Sequence, residues 1–192
     1  MSTAPTRRLI LVRHAKAEQP TPGQADTDRP LARRGLLDAG VGGEELAKIA
    51  VPDVVLCSPS RRTRQTWRSM LDGLLFARKN SGNDEPVVHP EAHYLASLYE
   101  ASTFDVVETV RANAEEASVV LVVGHEPTMS EATLALAGPG SEPEAVKQVK
   151  AGFSTGGIAV LAVEREWAEL APGDGRLEQF LVPRLGESGS IG

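Results

Sequence analysis

Two histidines and two arginines fall at matched places along this chain. Arg13 and His14 end a short apolar run, Leu9 to Val12; Arg62 lies just past a second run, Asp53 to Cys57; His125, behind Gly124, comes after a third, Val119 to Val123. Guanidinium groups grip oxyanions through paired N–H donors. Brought together, these four side chains make a locally electropositive pocket matched to a tetrahedral oxyanion such as a phosphoryl group. Each alone also fits a blander role, since a single histidine or arginine past a strand commonly serves as a structural hydrogen-bonder. The joint pattern depends on what the intervening elements do.

Periodicity predicts strands alternating with helices. Leu9 to Val12 is a short β-branched run with polar flanks, read as a buried strand, and Leu36 to Ala50 places apolar residues at 36, 39, 46, 47 and 50, a helical stripe. Gly40, Gly42 and Gly43 weaken that helix intrinsically while permitting close packing. The run 53–57 reads as a second strand leading into Ser58-Pro59, expected as N-cap and first residue of the next helix. That helix carries Trp67, Met70, Leu71, Leu74 and Leu75 on one face, with Arg61, Arg62, Arg64 and Arg68 near its start. Residues 79–86 form a polar turn cluster, and Ser102 to Asp105 is a capping-box-like start for a helix to about Glu116. The run 119–123 reads as a strand buried on both faces, succeeded by a helix from about Pro127 to Leu136 and a Gly/Pro-rich loop from Gly138. Residues 158–163 and 177–182 read as further strands, and 186–192 as a loose tail. This order predicts an α/β fold with a largely parallel central sheet, in which ligands bind at the carboxyl ends of the strands, where all four candidates lie.

Composition narrows the classes. With 192 residues the expectation is one domain, its core spanning about 8 to 185. A lone Cys57 provides neither a disulfide nor a cysteine-based zinc site, so a reducing, cytoplasmic setting is expected and the thiol is assigned to the core. No apolar run approaches the ~20 residues of a membrane span, and the start MSTAPTRR does not read as a signal peptide. Twenty basic against 26 acidic residues give a net charge of −6, which argues against nucleic-acid binding. The Arg61 to Arg68 group accordingly reads as Arg62 on the phosphate side and the others on a solvated helix face.

Three further motifs fail on context. Gly152-Phe-Ser154-Thr-Gly156 has the spacing of a hydrolase nucleophile elbow, but a strand-like segment comes after it and no histidine lies beyond His125. His89 and His93 stand four apart, yet Pro90 disfavours helical geometry at His89, so a metal role is not expected. Gly138-Pro-Gly140 is a loop signal, and no P-loop pattern occurs. No cofactor and no metal are called for.

Taken together, Leu-Val-Arg13-His14-Ala-Lys16, Ser58-Pro59-Ser-Arg-Arg62-Thr-Arg-Gln65-Thr66 and Gly124-His125-Glu126 resemble the histidine phosphatase superfamily in order and approximate spacing, most closely its SixA-like phosphohistidine phosphatase branch. Asp28-Arg-Pro-Leu31 leading to Gly35, Phe153 to Gly156, and Trp167 to Gly173 with Phe180 and Pro183 beyond them extend the likeness over about residues 8–185. The resemblance implies a single-domain, three-layer α/β sandwich of the phosphoglycerate-mutase type with helices on both faces of the sheet. It implies His14 as a nucleophile that carries a phosphoryl group, suited to this because a neutral imidazole keeps a nucleophilic lone pair. Arg13, Arg62 and His125 are then the phosphate-binding donors, with His125 expected to be cationic against the phosphate. Glu91, in Pro90-Glu91-Ala-His93-Tyr94, falls where mutase-like members carry a general acid; the alternative is a surface glutamate beside a turn. The implied substrate is phosphohistidine in a protein partner, with a small phosphoester as the competing reading and a catalytically idle phosphoprotein-binding module as the third. Residues 19–28 fit either a lid over the pocket or a mobile loop, and a monomer is favoured.

Overall fold

The computed structural model describes residues 7–82 and 89–186. A six-stranded sheet runs in the order β3-β2-β4-β1-β5-β6, built from β1 (Arg7–Arg13), β2 (Val54–Cys57), β3 (Glu91–Tyr94), β4 (Val119–Gly124), β5 (Ile158–Val163) and β6 (Gly175–Leu181). The four strands from β3 to β1 are mutually parallel, while β5 runs antiparallel to β1 and β6 antiparallel to β5. Helices α1 (Arg33–Ile49), α2 (Arg61–Asn80), α3 (Thr103–Asn113), α4 (Thr128–Leu136) and α5 (Pro143–Ala151) cover both faces.

The alternation within β1 and β4 divides the core. Leu9, Leu11, Val120 and Val122 point to the side covered by α3, α4 and α5, where they meet Val106, Val110, Met129 and Leu136. Ile10, Val12, Leu121 and Val123 point to the other side, against Leu46 of α1 and Trp67, Met70 and Leu74 of α2. Both layers are dry, with these strand residues fully buried. The glycines of α1 serve packing: a Cβ on Gly43 would lie 1.9 Å from the Met70 carbonyl oxygen, and one on Gly73 of α2 would lie 2.0 Å from that of Gly40. Only glycine lets the two backbones approach so closely, and this offsets its poor helix propensity.

Four details correct the sequence reading. Helix α2 starts two residues late, with Ser60 rather than Ser58 as N-cap, its side chain accepting from the Thr63 N–H. Strand β3 escapes a periodicity reading because it is a short edge strand whose residues, Glu91 to Tyr94, lack a fully buried face. Helix α5 occupies part of the expected Gly/Pro loop; Pro143 opens it, and Ala145 and Val149 form its buried stripe. The helix predicted to reach Glu116 stops at Asn113, although the Ser102–Asp105 capping box forms as expected. Residues 83–86 of the expected turn cluster and 187–192 of the expected tail lie outside the described residues. No described helix is long and apolar enough to cross a membrane.

Candidate active site

Sheet order explains the convergence. Strand β4 lies between β1 and β2, with Gly124 paired to Arg13 and Val123 to Cys57, so the three chains leave the sheet side by side. The segments that emerge from these strand ends, Arg13-His14, Ser58 to Arg62, and His125-Glu126, therefore meet at one edge.

The first of these segments is fastened from several directions. The His14 N–H continues the ladder to the Gly124 carbonyl at 3.0 Å, and the Gly156 N–H donates to the carbonyls of Arg13 and His14 at 3.2 and 3.1 Å. Gly156 has φ of 73°, a left-handed conformation that a side chain would strain. The Arg13 guanidinium donates to the Phe153 carbonyl at 2.7 Å. Beyond His14, the Ala15 N–H donates to the Thr66 hydroxyl at 3.0 Å, which in turn donates to the Arg62 carbonyl at 2.7 Å. Helix α2 thus sets the arginine and steadies the histidine through adjacent turns. The turn at 153–156, with α5 before it and β5 after it, has the reverse of the order a nucleophile elbow needs.

The imidazoles are held in defined states. His14 is 8% exposed, and its Nδ1 lies 2.8 Å from the Ala15 carbonyl oxygen. A carbonyl only accepts, so Nδ1 carries the proton and Nε2 keeps its lone pair. Burial is the main cause holding the His14 pKa down to about 4; Arg62, Arg13 and Arg29 push the same way, against the carbonyl bond. His125 Nδ1 lies 3.3 Å from an Arg62 nitrogen and its Nε2 lies 2.7 Å from the Ser58 hydroxyl. Arginine can only donate, so His125 accepts at Nδ1 and carries its proton on Nε2, directed to Ser58. Burial first, then Arg62 and His14, hold its pKa down to about 3. In the free site, next to a buried guanidinium, the ring is thus held neutral, whereas the expected cationic His125 concerns the phosphate-bound site. The two rings stand 5.4 Å apart between centroids.

Arg62 is buried, and in this structure its guanidinium is engaged by the 19–28 segment. It donates to the Asp26 carbonyl at 2.7 Å and the Asp26 carboxylate at 2.9 Å. Tyr99 donates to the same carboxylate at 2.7 Å and presents an edge to His125. Bonds from Tyr99 and Arg62 outweigh partial burial and lower the Asp26 pKa. The end of the 19–28 segment is therefore folded against the site, through a 3-10 turn at Asp26–Asp28.

Glu91 is not brought to this cluster. It opens β3, paired in register with Val54 at the far end of β2 from Cys57; its side chain is exposed and lies 3.5 Å from His93 Nε2. The acidic residues that do line a cavity of about 370 Å3 beside Arg62, Tyr99 and His125 are Asp26, Glu100, Glu126 and Glu131, and Glu126 is the one next to His125 in the chain. One Glu126 oxygen accepts from the Ser130 hydroxyl at 2.6 Å, while the other is buried without a partner among the described residues. Burial raises its pKa against the opposing pull of Ser130 and Arg13. Sequence reasoning carries Glu126 only within the Gly124-His125-Glu126 motif and does not single out Asp26, Ser58 or Tyr99 as site residues; adjacency to His125 and to the strand end is the available signal for Glu126 and Ser58. Cys57 is buried, its thiol pushed up to about 12 by burial, and takes no part.

Comparison with known proteins meets this geometry. Residues 9–79 match the model of the histidine phosphatase superfamily, branch 1. The SixA of Agrobacterium tumefaciens, a proposed phosphohistidine phosphatase, is 30% identical, with 93% of this chain and 99% of that one aligned at a TM-score of 0.70. The chain belongs to the histidine phosphatase superfamily. Its SixA-like branch is shown equally by the SixA of Nakamurella multipartitia, also a proposed phosphohistidine phosphatase, at 29% identity, coverage of 95% and 99%, and a TM-score of 0.77. The uncharacterized protein MT1313 of Mycobacterium tuberculosis is 39% identical over 90% of this chain and all of its own length. As a member of this superfamily the chain is a phosphatase that works through histidine, on the α/β fold described above.

Proposed function

We propose that this histidine phosphatase removes the phosphoryl group from phosphohistidine in a protein partner through a phospho-His14 intermediate, without a metal ion. The observation that carries the mechanism is the tautomer of His14: with Nδ1–H given to the Ala15 carbonyl, Nε2 is a neutral nucleophile among Arg13, Arg62 and His125. In the first step Nε2 attacks phosphorus, a P–Nε2 bond forms and the bond to the leaving group breaks. In the second, water attacks phosphorus, the P–Nε2 bond breaks, and inorganic phosphate leaves with His14 neutral again. Arg13 and Arg62 bind non-bridging oxygens, Arg62 exchanging the Asp26 carboxylate for the substrate, and His125 passes its Nε2–H from the Ser58 hydroxyl to a phosphoryl oxygen. Removing one such donor from an oxyanion site typically costs about 10²–10³ in kcat.

Phosphohistidine is favoured because its departing imidazole needs little protonic help, and the two SixA proteins of near 30% identity align over nearly their whole length. The second reading, a phosphomonoesterase of wider scope, is favoured by Glu126. Burial shifts its pKa upward, the direction a group needs in order to give a proton to an alkoxide or phenoxide leaving group and then take one from the attacking water. The experiment is to compare kcat/KM for a phosphohistidine-bearing protein with that for an aryl phosphate, with EDTA present. A preference for the protein of tenfold or more supports the first reading; turnover of the aryl phosphate alone moves the assignment to the second.

A further inference from the structure

A second basic surface lies beside the phosphate pocket and is not used by the chemistry above. Arg61, Arg64 and Arg68 succeed one another along the exposed side of α2 and line a cavity of about 550 Å3. Among the described residues none of the three makes a salt bridge; Arg64 lies over the ring of Tyr94, its guanidinium carbon 5.3 Å from the centroid. Asp28 also lines the cavity, so three positive side chains face one negative one in a protein of net charge −6. Local charge of this sign is what an acidic molecule needs in order to hold an anionic partner.

The cavity adjoins the pocket on both sides. Thr27 and Asp28 line it while their neighbour Asp26 holds Arg62, and Pro59 lines it while its neighbour Ser58 holds His125. The turn at 26–28 thus borders both, Asp26 on the side of Arg62 and His125 and Thr27 and Asp28 on the side of the arginine row. From Arg61 to Arg68 is seven helical residues, roughly 10 Å of rise, which matches three to four residues of extended chain at about 3.3 Å each. A small phosphoester would meet one or two of these guanidinium groups, whereas a run of carboxylates engages all three.

We propose that the Arg61, Arg64 and Arg68 row recognises an acidic segment flanking the phosphorylated residue of a protein substrate. This rests on the phosphoprotein reading of the active site. The test uses two peptides of equal length carrying a stable phosphohistidine analogue, one flanked by glutamates and one by alanines, as competitors of aryl phosphate hydrolysis. Wild type should be inhibited by the acidic peptide at a concentration at least tenfold lower than by the neutral one, and the advantage should shrink as salt is raised. The triple substitution Arg61→Gln, Arg64→Gln, Arg68→Gln should abolish the advantage while leaving kcat/KM for the aryl phosphate within about twofold of wild type. If the triple variant does not fold, Arg68→Gln alone should reduce the advantage. Equal inhibition by the two peptides, an advantage that survives substitution, or equally strong competition by a short single-stranded RNA would overturn the proposal. Because the analogues are not turned over, failure of a phosphohistidine protein as substrate would count against the active-site reading and not against this surface.

Discussion

At the scale of single residues, the site is organised by what surrounds each imidazole. His14 and His125 are both neutral, yet their protons sit on opposite ring nitrogens, Nδ1 in His14 because a carbonyl faces it and Nε2 in His125 because Arg62 occupies the other side. One ring is left with a free lone pair at Nε2, the nucleophile of the proposed mechanism, and the other with an N–H held by the Ser58 hydroxyl. The two nearby carboxyl groups are separated in the same way: Tyr99 and Arg62 keep Asp26 ionised, while burial favours the protonated form of Glu126. A general acid must hold a proton, and of the two only Glu126 is shifted in the direction that favours one. Glu126→Gln is therefore expected to lower kcat for aryl phosphate by about 10²-fold, within the usual range for a positioned acid, and to leave phosphohistidine hydrolysis within a few-fold of wild type. Glu91→Gln should change neither, because its side chain is exposed at the far end of β3. Steady-state kinetics on both substrates checks this, and a large effect of Glu91→Gln on the ester would return the acid to that position.

At the scale of elements, the long-range positions are legible in the sequence and the short-range contacts are not. Runs such as Val119 to Val123 are unambiguous because a strand buried on both faces has no polar positions, and the stripe of α2 is equally plain. The placing of Arg13, Arg62 and His125 at strand ends comes directly from these runs. The edge strand β3 and the helix α5 carry little buried apolar surface, so periodicity cannot find them. Nor can it resolve the two-residue offset between Ser58 and Ser60, which separates two jobs: Ser60 caps α2, whereas Ser58 accepts the proton of His125 Nε2. Ser60→Ala should cost about 1 kcal/mol. In a domain of this size that is a fall in melting temperature of roughly 2–4 °C, with kcat nearly unchanged. Ser58→Ala should lower the melting temperature by a similar amount and, unlike Ser60→Ala, also lower kcat by up to about tenfold, as expected for one hydrogen bond worth about 0.5–1.5 kcal/mol. Turnover of the two variants side by side distinguishes these roles; an equal loss of kcat in both would contradict the division.

For the whole molecule, the consequence of holding two imidazoles neutral in the interior is sensitivity to acid. An unfolded histidine titrates near 6.5, whereas burial and the neighbouring guanidinium groups hold His14 down to about 4 and His125 down to about 3 in the folded chain. Between those values the unfolded state binds more protons, so stability rises with pH across this window and is lost as pH falls from about 6.5 toward 4 and below. Melting temperature should drop steadily over that range, and His125→Gln should flatten the drop; a melting temperature independent of pH between 6.5 and 4 would contradict the neutral assignments. The same neutrality underlies the chemistry, since only an unprotonated Nε2 can attack phosphorus. The most direct measurement is to quench the protein during turnover of a radiolabelled phosphoester with EDTA present and locate the label by mass spectrometry in wild type and His14→Asn. An acid-labile, base-stable phosphoryl group on His14, absent together with turnover in His14→Asn, is the predicted result; label on another residue, or undiminished turnover by His14→Asn, would contradict it.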